Sequence, residues 1–187
     1  MPADYPDIEY FPGFIEEDYF DELYHTLQWR TGTIRLFGKE IVEPRLVAWY
    51  GEKEAAYVYS GKPLQPLPWT PLLQELRQKL QQHLQVPFNA VLCNLYRDGN
   101  DYMGWHSDNE KPMGHKPVIA SLSFGAVRDF QLKHRSNKLL PVIKLSLEPG
   151  SLLVMKGDTQ KYWKHQLPKR QSVKAPRINL TFRNIIG

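Results

Sequence analysis

The sequence contains only one cysteine among its 187 residues and no long apolar run. A single cysteine, Cys93, excludes an intrachain disulfide and a zinc site built on several thiolates, and we predict a small core residue there. No segment approaches the roughly 20 apolar residues of a membrane-spanning helix, and the acidic start at 1–6 lacks the regions of a signal peptide. We therefore expect an intracellular protein without membrane contact, cytoplasmic in a bacterium and nuclear in a eukaryote.

The sequence also lacks a large excess of either charge, and it has no internal repeats or low-complexity segments. Lysine and arginine number 24 against 20 acidic residues, which gives a net charge of +4 and a pI near 9.1. This excess is compatible with a polyanionic partner without establishing one. Two basic clusters stand out: Lys161, Lys164, Lys169, Arg170 and Lys174, and Lys133, His134, Arg135 and Lys138. They are either solvated loops or, if they border a site, phosphate contacts.

The hydrophobic pattern predicts helices only in the first half of the chain. Apolar residues at helical spacing predict helices at 16–28 and 71–84, and 33–50 is typical of two strands turned around Gly38. Short strands then follow at 89–96, 118–124, 127–133, 142–147, 151–155 and 177–184. This order predicts a mostly β fold, a double-sheet jelly roll backed by two helices. We expect one domain at 1–187, with helices and a hairpin at 1–88 and the jelly-roll core at 89–187.

Two histidines and one aspartate have the pattern of a metal site. His106 and Asp108 are separated by one residue, so an extended segment points both side chains the same way, and a distant strand could bring His165 to them. Two imidazoles and a carboxylate occupy one face of an octahedral Fe(II) and leave three positions open. The competing interpretation of this short motif is a surface turn with a hydrogen-bonded histidine.

The closing segment 177–183 alternates polar and apolar residues with a period of two. Its polar side chains are Arg177, Asn179, Thr181 and Arg183. One interpretation is an edge strand with a solvated outer face. In the other, the two guanidinium groups hold both ends of a dicarboxylate. Combined with the metal ligands, the second interpretation suggests 2-oxoglutarate.

Five motifs in this order resemble the AlkB family of Fe(II)/2-oxoglutarate dioxygenases. They are the run at 94–99, His106-Ser107-Asp108, the run at 120–130, His165 and the R-x-N-x-T-x-R pattern at 177–183. Within the family the chain is most similar to the animal homologues that repair alkylated duplex DNA, through 37–39, 57–61 and 121–130. The likeness runs from about Ile8 to the end of the chain and implies a double-stranded β-helix.

The resemblance implies a set of ligands for Fe(II), 2-oxoglutarate and O2. His106, Asp108 and His165 would bind the metal and carry the catalysis. The co-substrate pocket would be lined by Asn94, Tyr96, Arg177, Asn179, Thr181 and Arg183. The family pattern gives Arg177 the distal carboxylate and places Arg183 toward the keto-acid end, although the sequence itself does not distinguish the two arginines.

The activity implied is oxidative removal of methyl groups from 1-methyladenine and 3-methylcytosine in DNA, with release of formaldehyde. Such an enzyme acts on single strands or flips the damaged nucleotide out of the duplex. Tyr57 and Tyr59 alternate on a short strand and would stack on the cationic base, whereas without the resemblance they are ordinary core residues. Phe37, beside Gly38 and Lys39 at a hairpin tip, would wedge into the base stack or else pack on the body.

Three further residues are candidates for substrate contacts. Asn109 and Glu110 follow the second metal ligand and would border the base. The duplex-repair relatives have aspartate at the position of Asn109, so a cationic base loses one electrostatic partner here. Arg128 is either a phosphate contact or a structural salt bridge.

Two other classes of function compete with DNA repair. The same iron chemistry could act on RNA or on a protein side chain, because the metal motif does not specify the prime substrate. A jelly-roll module that binds nucleic acid without turnover is the third. We expect a monomer, and the sequence leaves open whether duplex or single-stranded DNA is preferred.

Overall fold

The computed structural model describes residues 4–36, 38–55, 57–59 and 62–186, with the backbone alone described at 34–36, 57–59 and 62–64. In these residues the α-helices are α1 (Phe20–Thr26), α2 (Pro71–Leu84) and α3 (Thr159–Tyr162). The strands are β1 (Ile8–Phe11), β2 (Arg30–Leu36), β3 (Lys39–Gly51), β4 (Tyr57–Tyr59), β5 (Lys62–Leu64), β6 (Ala90–Tyr96), β7 (Met103–His106), β8 (Ile119–Gly125), β9 (Arg128–His134), β10 (Ile143–Leu147), β11 (Leu152–Met155), β12 (Trp163–Leu167) and β13 (Arg177–Arg183).

Two antiparallel sheets form the jelly roll. The main sheet has seven strands in the order β1-β11-β8-β13-β6-β3-β2, and the minor sheet has four in the order β10-β9-β12-β7. Strands β4 and β5 form a separate two-stranded ribbon. The predicted mostly β jelly roll is confirmed.

Helices α1 and α2 pack against the outer face of the main sheet. Leu72, Leu73, Leu76 and Leu80 form the buried stripe of α2, in one core cluster with the alternate apolar residues of β13. The Thr70 hydroxyl accepts a hydrogen bond from the Leu73 amide, and Pro71 occupies the first helical turn. Gln85 ends the helix in the left-handed conformation, so α2 has the bounds that the sequence predicts.

The first helix is shorter than the predicted 16–28. The Asp18 carboxylate accepts a hydrogen bond from the Phe20 amide, and this contact marks the start of α1. Leu27 is extended, so the chain leaves the helix after Thr26. Among the described helices, none is both long and apolar enough to span a membrane.

The second core cluster lies between the two sheets. Trp49, Leu92 and Met155 of the main sheet are buried there, and Phe130 and Leu145 of the minor sheet pack against them. Polar residues of β13 face the same interior, because its apolar residues alternate toward the helices. The candidate site is built on this inner face.

Strand β13 lies between β8 and β6, and all seven of its residues are buried. The edge-strand interpretation of 177–183 is therefore wrong. Cys93 on neighbouring β6 is fully buried, as predicted, and burial raises the pKa of its thiol.

Candidate metal centre and adjoining cavity

The three predicted metal ligands converge. His106 ends β7, and His165 on β12 is its direct partner across the sheet, with ring centroids 4.2 Å apart. Asp108 lies two residues beyond His106, and its Oδ1 and Oδ2 are 3.7 and 3.8 Å from Nε2 of His106 and His165. All three ligand atoms lie within 4.8 Å of one another, which suits a single metal ion.

Neighbouring groups orient both imidazoles. His106 Nδ1 is 2.8 Å from the Gly104 carbonyl oxygen. A carbonyl only accepts hydrogen bonds, so Nδ1 donates in this contact, and Nε2 is the ring nitrogen on the side of Asp108. The ring of His165 is stacked on Phe130 at 5.3 Å and is only 4% exposed.

The charges match the protonation states that metal binding requires. Burial disfavours the Asp108 carboxylate, but Arg183, His165 and His106 together hold its pKa well below the usual range. Burial, reinforced by His106, lowers the pKa of His165 to about 3. At neutral pH the site therefore holds an ionised carboxylate and a neutral imidazole, the ligand forms of both groups.

Two supporting residues escaped sequence reasoning. The Gln160 side-chain oxygen accepts a hydrogen bond from the Asp108 amide at 2.8 Å, and its nitrogen lies 3.5 Å from Met155 Sδ. The Ser107 hydroxyl donates to the Trp163 carbonyl at 2.8 Å. These contacts attach the His-x-Asp segment to α3 and β12. Only the tertiary fold reveals them, because Gln160 carries no motif.

A cavity adjoins the three ligands between the sheets. Arg177 and Arg183 line it from β13. The Arg183 guanidinium lies 3.2 Å from Asp108 Oδ2, beside the metal ligands. Arg177, six residues away along the strand, donates to the Ser123 hydroxyl at 2.9 Å.

Arg177 is a buried cation that is not neutralised within the described residues. It is 2% exposed, no described carboxylate lies within salt-bridge distance, and its Nε has no hydrogen-bond partner among the described atoms. Burial lowers its pKa to about 10, so it still carries its charge at neutral pH. A buried guanidinium facing a cavity is suited to an anionic ligand.

Polar side chains connect β6, β13 and β8 along the cavity wall. The Asn179 amide donates to the Ser121 hydroxyl at 2.6 Å, and its oxygen accepts from Thr181 at 2.8 Å and from the Asn94 amide at 3.3 Å. The ring of Tyr96 lies under the guanidinium of Arg177, with 5.5 Å to the ring centroid. The structure thus brings all six predicted co-substrate residues to one cavity.

Arg45 is a cavity residue that sequence reasoning missed. Its Nε donates to the Asn94 side-chain oxygen at 2.7 Å, and its amino group lies 3.1 Å from Glu43. Both members of this ion pair are almost fully buried. A Cβ at Gly32 would overlap the Glu43 carboxylate, so glycine makes room for it. The alternation of Glu43 and Arg45 on one strand is the only signal that could have indicated the pair.

The predicted nucleic-acid contacts are distributed around the fold. Gly38, at φ +77°, and Lys39 lie exposed at the turn between β2 and β3. Phe37 lies outside the described residues, and so do the side chains of Tyr57 and Tyr59, whose backbone forms β4.

Asn109 and Glu110 follow the second metal ligand on a surface loop. Asn109 is exposed and Glu110 is partly buried. Asn109 shares a groove with Arg135 and Lys161, one residue from each basic cluster, and with Gln160, which contacts Asp108. Part of each basic cluster therefore borders the surface next to the metal ligands.

The substrate role predicted for Arg128 is corrected by its position. Arg128 is 2% exposed and donates to the carbonyls of Asp98, Asp101 and Pro168 at 3.1, 2.8 and 2.7 Å. A phosphate cannot reach a guanidinium enclosed in this way. Arg128 instead connects β9 to the loop 98–101 and to Pro168, beside Tyr96.

The fold is a double-sheet jelly roll with two histidines on paired strands, and a carboxylate two residues beyond one of them, beside a cationic cavity. This is the arrangement of an Fe(II)- and 2-oxoglutarate-dependent oxygenase. The family model described as 2OG-Fe(II) oxygenase superfamily matches residues 7–183. The solved structure of OsALKBH1 superposes with a TM-score of 0.63 at 15% identity, covering 96% of this chain and 98% of that one. At this identity the likeness shows the fold alone.

More similar relatives show which family within this superfamily the chain belongs to. The chain is 41% identical to the DNA oxidative demethylase ALKBH2 of Mus musculus, covering 89% of this chain and 74% of the relative. It is 38% identical to the alpha-ketoglutarate-dependent dioxygenase alkB homolog 3 of Homo sapiens, covering 94% and 65% respectively. The chain therefore belongs to the AlkB family of 2OG-Fe(II) oxygenases. It spans 64% of the length of the Bos taurus homolog 3 and of the Bos taurus ALKBH2.

Proposed function

We propose that this chain is an oxidative DNA demethylase that removes methyl groups from the pairing edges of adenine and cytosine, with 1-methyladenine and 3-methylcytosine as substrates. One observation carries the proposal: three convergent metal ligands and the buried Arg177 cation, which has no described carboxylate partner, line a single cavity. The name DNA oxidative demethylase, which belongs to relatives up to 41% identical, supports DNA as the substrate.

His106, Asp108 and His165 would hold Fe(II) on one face and leave the other positions to 2-oxoglutarate and O2. When bound, the metal with these co-substrates supplies the oxidation that hydroxylates an N-methyl group, which then leaves as formaldehyde. The protein contributes orientation: Gly104, Gln160 and Ser107 keep the ligand segment in place without touching the metal themselves.

The two arginines would bind opposite ends of 2-oxoglutarate. Arg183 already lies beside a metal ligand, 3.2 Å from Asp108, and this position suits the keto-acid end. Among the described side chains, Arg177 hydrogen-bonds only to the Ser123 hydroxyl, and a guanidinium fork matches a carboxylate bidentately. We therefore assign the distal carboxylate to Arg177. The Asn94, Asn179 and Thr181 network would hold the cavity wall in shape, with Tyr96 packed beside Arg177.

The target base would reach the metal ligands from the side of the Asn109 loop. His106 has a partly exposed side chain, so the centre is accessible to a base that has left its stack. Asn109 and Glu110 would border that base, with Arg135 and Lys161 placed for the adjacent phosphates. Phe37, Gly38 and Lys39 would act at the hairpin tip, and Tyr57 and Tyr59 would stack on the base. We further propose one catalytic domain over residues 1–187, acting as a monomer inside the cell.

The decisive experiment supplies Fe(II), ascorbate and 2-oxoglutarate with single-stranded DNA, duplex DNA and RNA oligonucleotides that carry either lesion. Loss of the methyl group is followed by mass spectrometry. We expect co-substrate-dependent demethylation of DNA, abolished in His106→Ala and Asp108→Ala and retained in His25→Ala, a control on α1. Succinate formation with intact oligonucleotides would overturn DNA repair in favour of a protein substrate. Demethylation of RNA alone would make RNA the substrate.

A further inference from the structure

Two lysines face each other on the outer side of the minor sheet. Lys133 on β9 and Lys164 on β12 are direct cross-strand partners, next to the pair of Leu132 and His165 in the register. Leu132 and His165 are buried inside, so alternation places both lysines on the opposite face. Like charges directly opposite each other destabilise a sheet, and this pair therefore needs another explanation.

Neither lysine is neutralised by the protein within the described residues. No described carboxylate lies within 4.0 Å of the Lys133 or Lys164 ammonium. Three other surface lysines do have such partners among the described residues: Lys79 lies near Glu17 and Glu75, Lys116 near Asp158, and Lys156 near Glu9. What distinguishes Lys133 and Lys164 is that two uncompensated ammonium groups are held on directly paired residues of one sheet face.

A tryptophan completes the surface. The Lys133 ammonium lies 4.2 Å from the ring centroid of Trp105, which is partly exposed. Trp105 immediately precedes His106 on β7, the edge strand of the minor sheet. Consecutive strand residues point to opposite faces, so His106 faces the metal centre and Trp105 faces the outer side. A ligand that extends around this edge therefore passes from the metal centre to Trp105.

We propose that Trp105, Lys133 and Lys164, the outer platform, bind an unpaired stretch of the nucleic-acid strand that carries the target base, which extends the proposed function. The two ammonium groups contact phosphates, and the indole stacks on one base. Aromatic stacking beside cations is the arrangement that binds single strands without sequence preference. A paired base has no free face for Trp105, and this favours an unpaired segment over duplex.

The test measures binding in the absence of turnover. Fluorescence anisotropy gives Kd for the full chain and single-stranded oligodeoxynucleotides of about 4 or about 16 nucleotides carrying 1-methyladenine, across a salt series. In Lys133→Gln/Lys164→Gln, we expect the slope of log Kd against log salt to fall by about 1.4 for the long strand, because each single-strand phosphate contributes about 0.7. For the short strand, the double variant and the unaltered protein should have the same slope.

A matched double variant controls for net charge. Lys79→Gln/Lys156→Gln removes the same charge from other faces and should leave the slope for the long strand unchanged. Trp105→Leu, checked for an unchanged unfolding midpoint, should weaken binding of the long strand about tenfold through lost stacking. Neither effect should appear on a fully paired duplex of the same length.

Three outcomes would overturn the platform. The salt slope for the long strand could be unchanged in Lys133→Gln/Lys164→Gln, or it could fall by the same amount for the short strand, or by the same amount for the duplex. This binding measurement does not depend on catalysis. If the unaltered protein demethylates nothing but the slope still falls, the proposed function fails and the platform stands. If demethylation proceeds and the slope does not change, only the platform is wrong.

Discussion

The Asp108 amide donates a hydrogen bond of 2.8 Å to the side-chain oxygen of Gln160, and Gln160 is 2% exposed. Asp108 is the one carboxylate of the candidate metal centre. Gln160 therefore positions the backbone of a metal ligand from the short helix that precedes the strand carrying His165.

Replacing Gln160 with leucine should weaken metal binding. The substitution keeps most of the volume but leaves the buried Asp108 amide without its acceptor, and loss of such outer partners costs about 10- to 100-fold in metal affinity. Co(II) titration followed by absorbance measures the change. Gln131→Leu, whose side chain contacts only Gln166 among the hydrogen bonds of the described residues, is the control. Equal Co(II) affinity in Gln160→Leu and the unaltered protein would remove the positioning role.

Replacing Arg177 with glutamine should raise both the Kd and the KM for 2-oxoglutarate. Losing the buried cation that faces a carboxylate costs on the order of 2 kcal/mol or more, or roughly 30-fold in affinity. Arg177→Lys keeps the charge but loses the fork, so its effect should be intermediate. The 2-oxoglutarate-induced shift in Tm gives a readout that needs no turnover. Arg77→Gln, on α2 beside Glu52, should behave like the unaltered protein, and the same behaviour in Arg177→Gln would refute the assignment.

Replacing Glu43 with leucine should lower the free energy of unfolding by about 3 to 5 kcal/mol, because Arg45 then loses its buried carboxylate partner. Urea denaturation measures the loss. Glu43→Gln retains an acceptor and should cost less. In the double variant Glu43→Leu/Arg45→Met neither charge is buried, so most of the stability should return. A loss in Glu43→Leu no larger than that of a surface substitution would contradict this explanation.

Replacing Arg128 with glutamine should destabilise the fold without changing the salt dependence of nucleic-acid binding. Its contacts with three carbonyls disappear, at a cost on the order of 3 kcal/mol. Denaturant unfolding measures the first effect, and a salt series of Kd measures the second. A shallower salt slope in folded Arg128→Gln would support the phosphate contact, which the burial of Arg128 argues against.

The elements predicted well are those whose local pattern agrees with their final environment. Helix α2 has an N-cap threonine, an N-terminal proline and one leucine stripe, so its bounds follow from nearby residues alone. The strict alternation of 177–183 indicated a strand, but its place between β8 and β6 depends on pairing with distant segments. This is why an edge strand and a central strand could not be distinguished from the pattern.

The strands absent from the predicted list include β7 and β12, which are short and contain several polar residues. β7 and β12 contain glycine, lysine, histidine and glutamine, and they are ordered by their partners in the minor sheet. They also carry His106 and His165. The candidate ligands could be named from the motif, whereas their 4.2 Å ring separation arises only from the register of the two strands.

The sequence by itself determined the metal-ligand types, the alternating arginine strand and the helices-then-strands order, because these are properties of residue type and local spacing. Tertiary structure alone decided that Arg183 lies beside Asp108 while Arg177 lacks a described carboxylate partner, and that Arg128 is enclosed by backbone carbonyls. It also brought Gln160 and Arg45 to the site. The physical reason is that burial and ion pairing depend on which distant segments become neighbours, and local spacing carries no information about that.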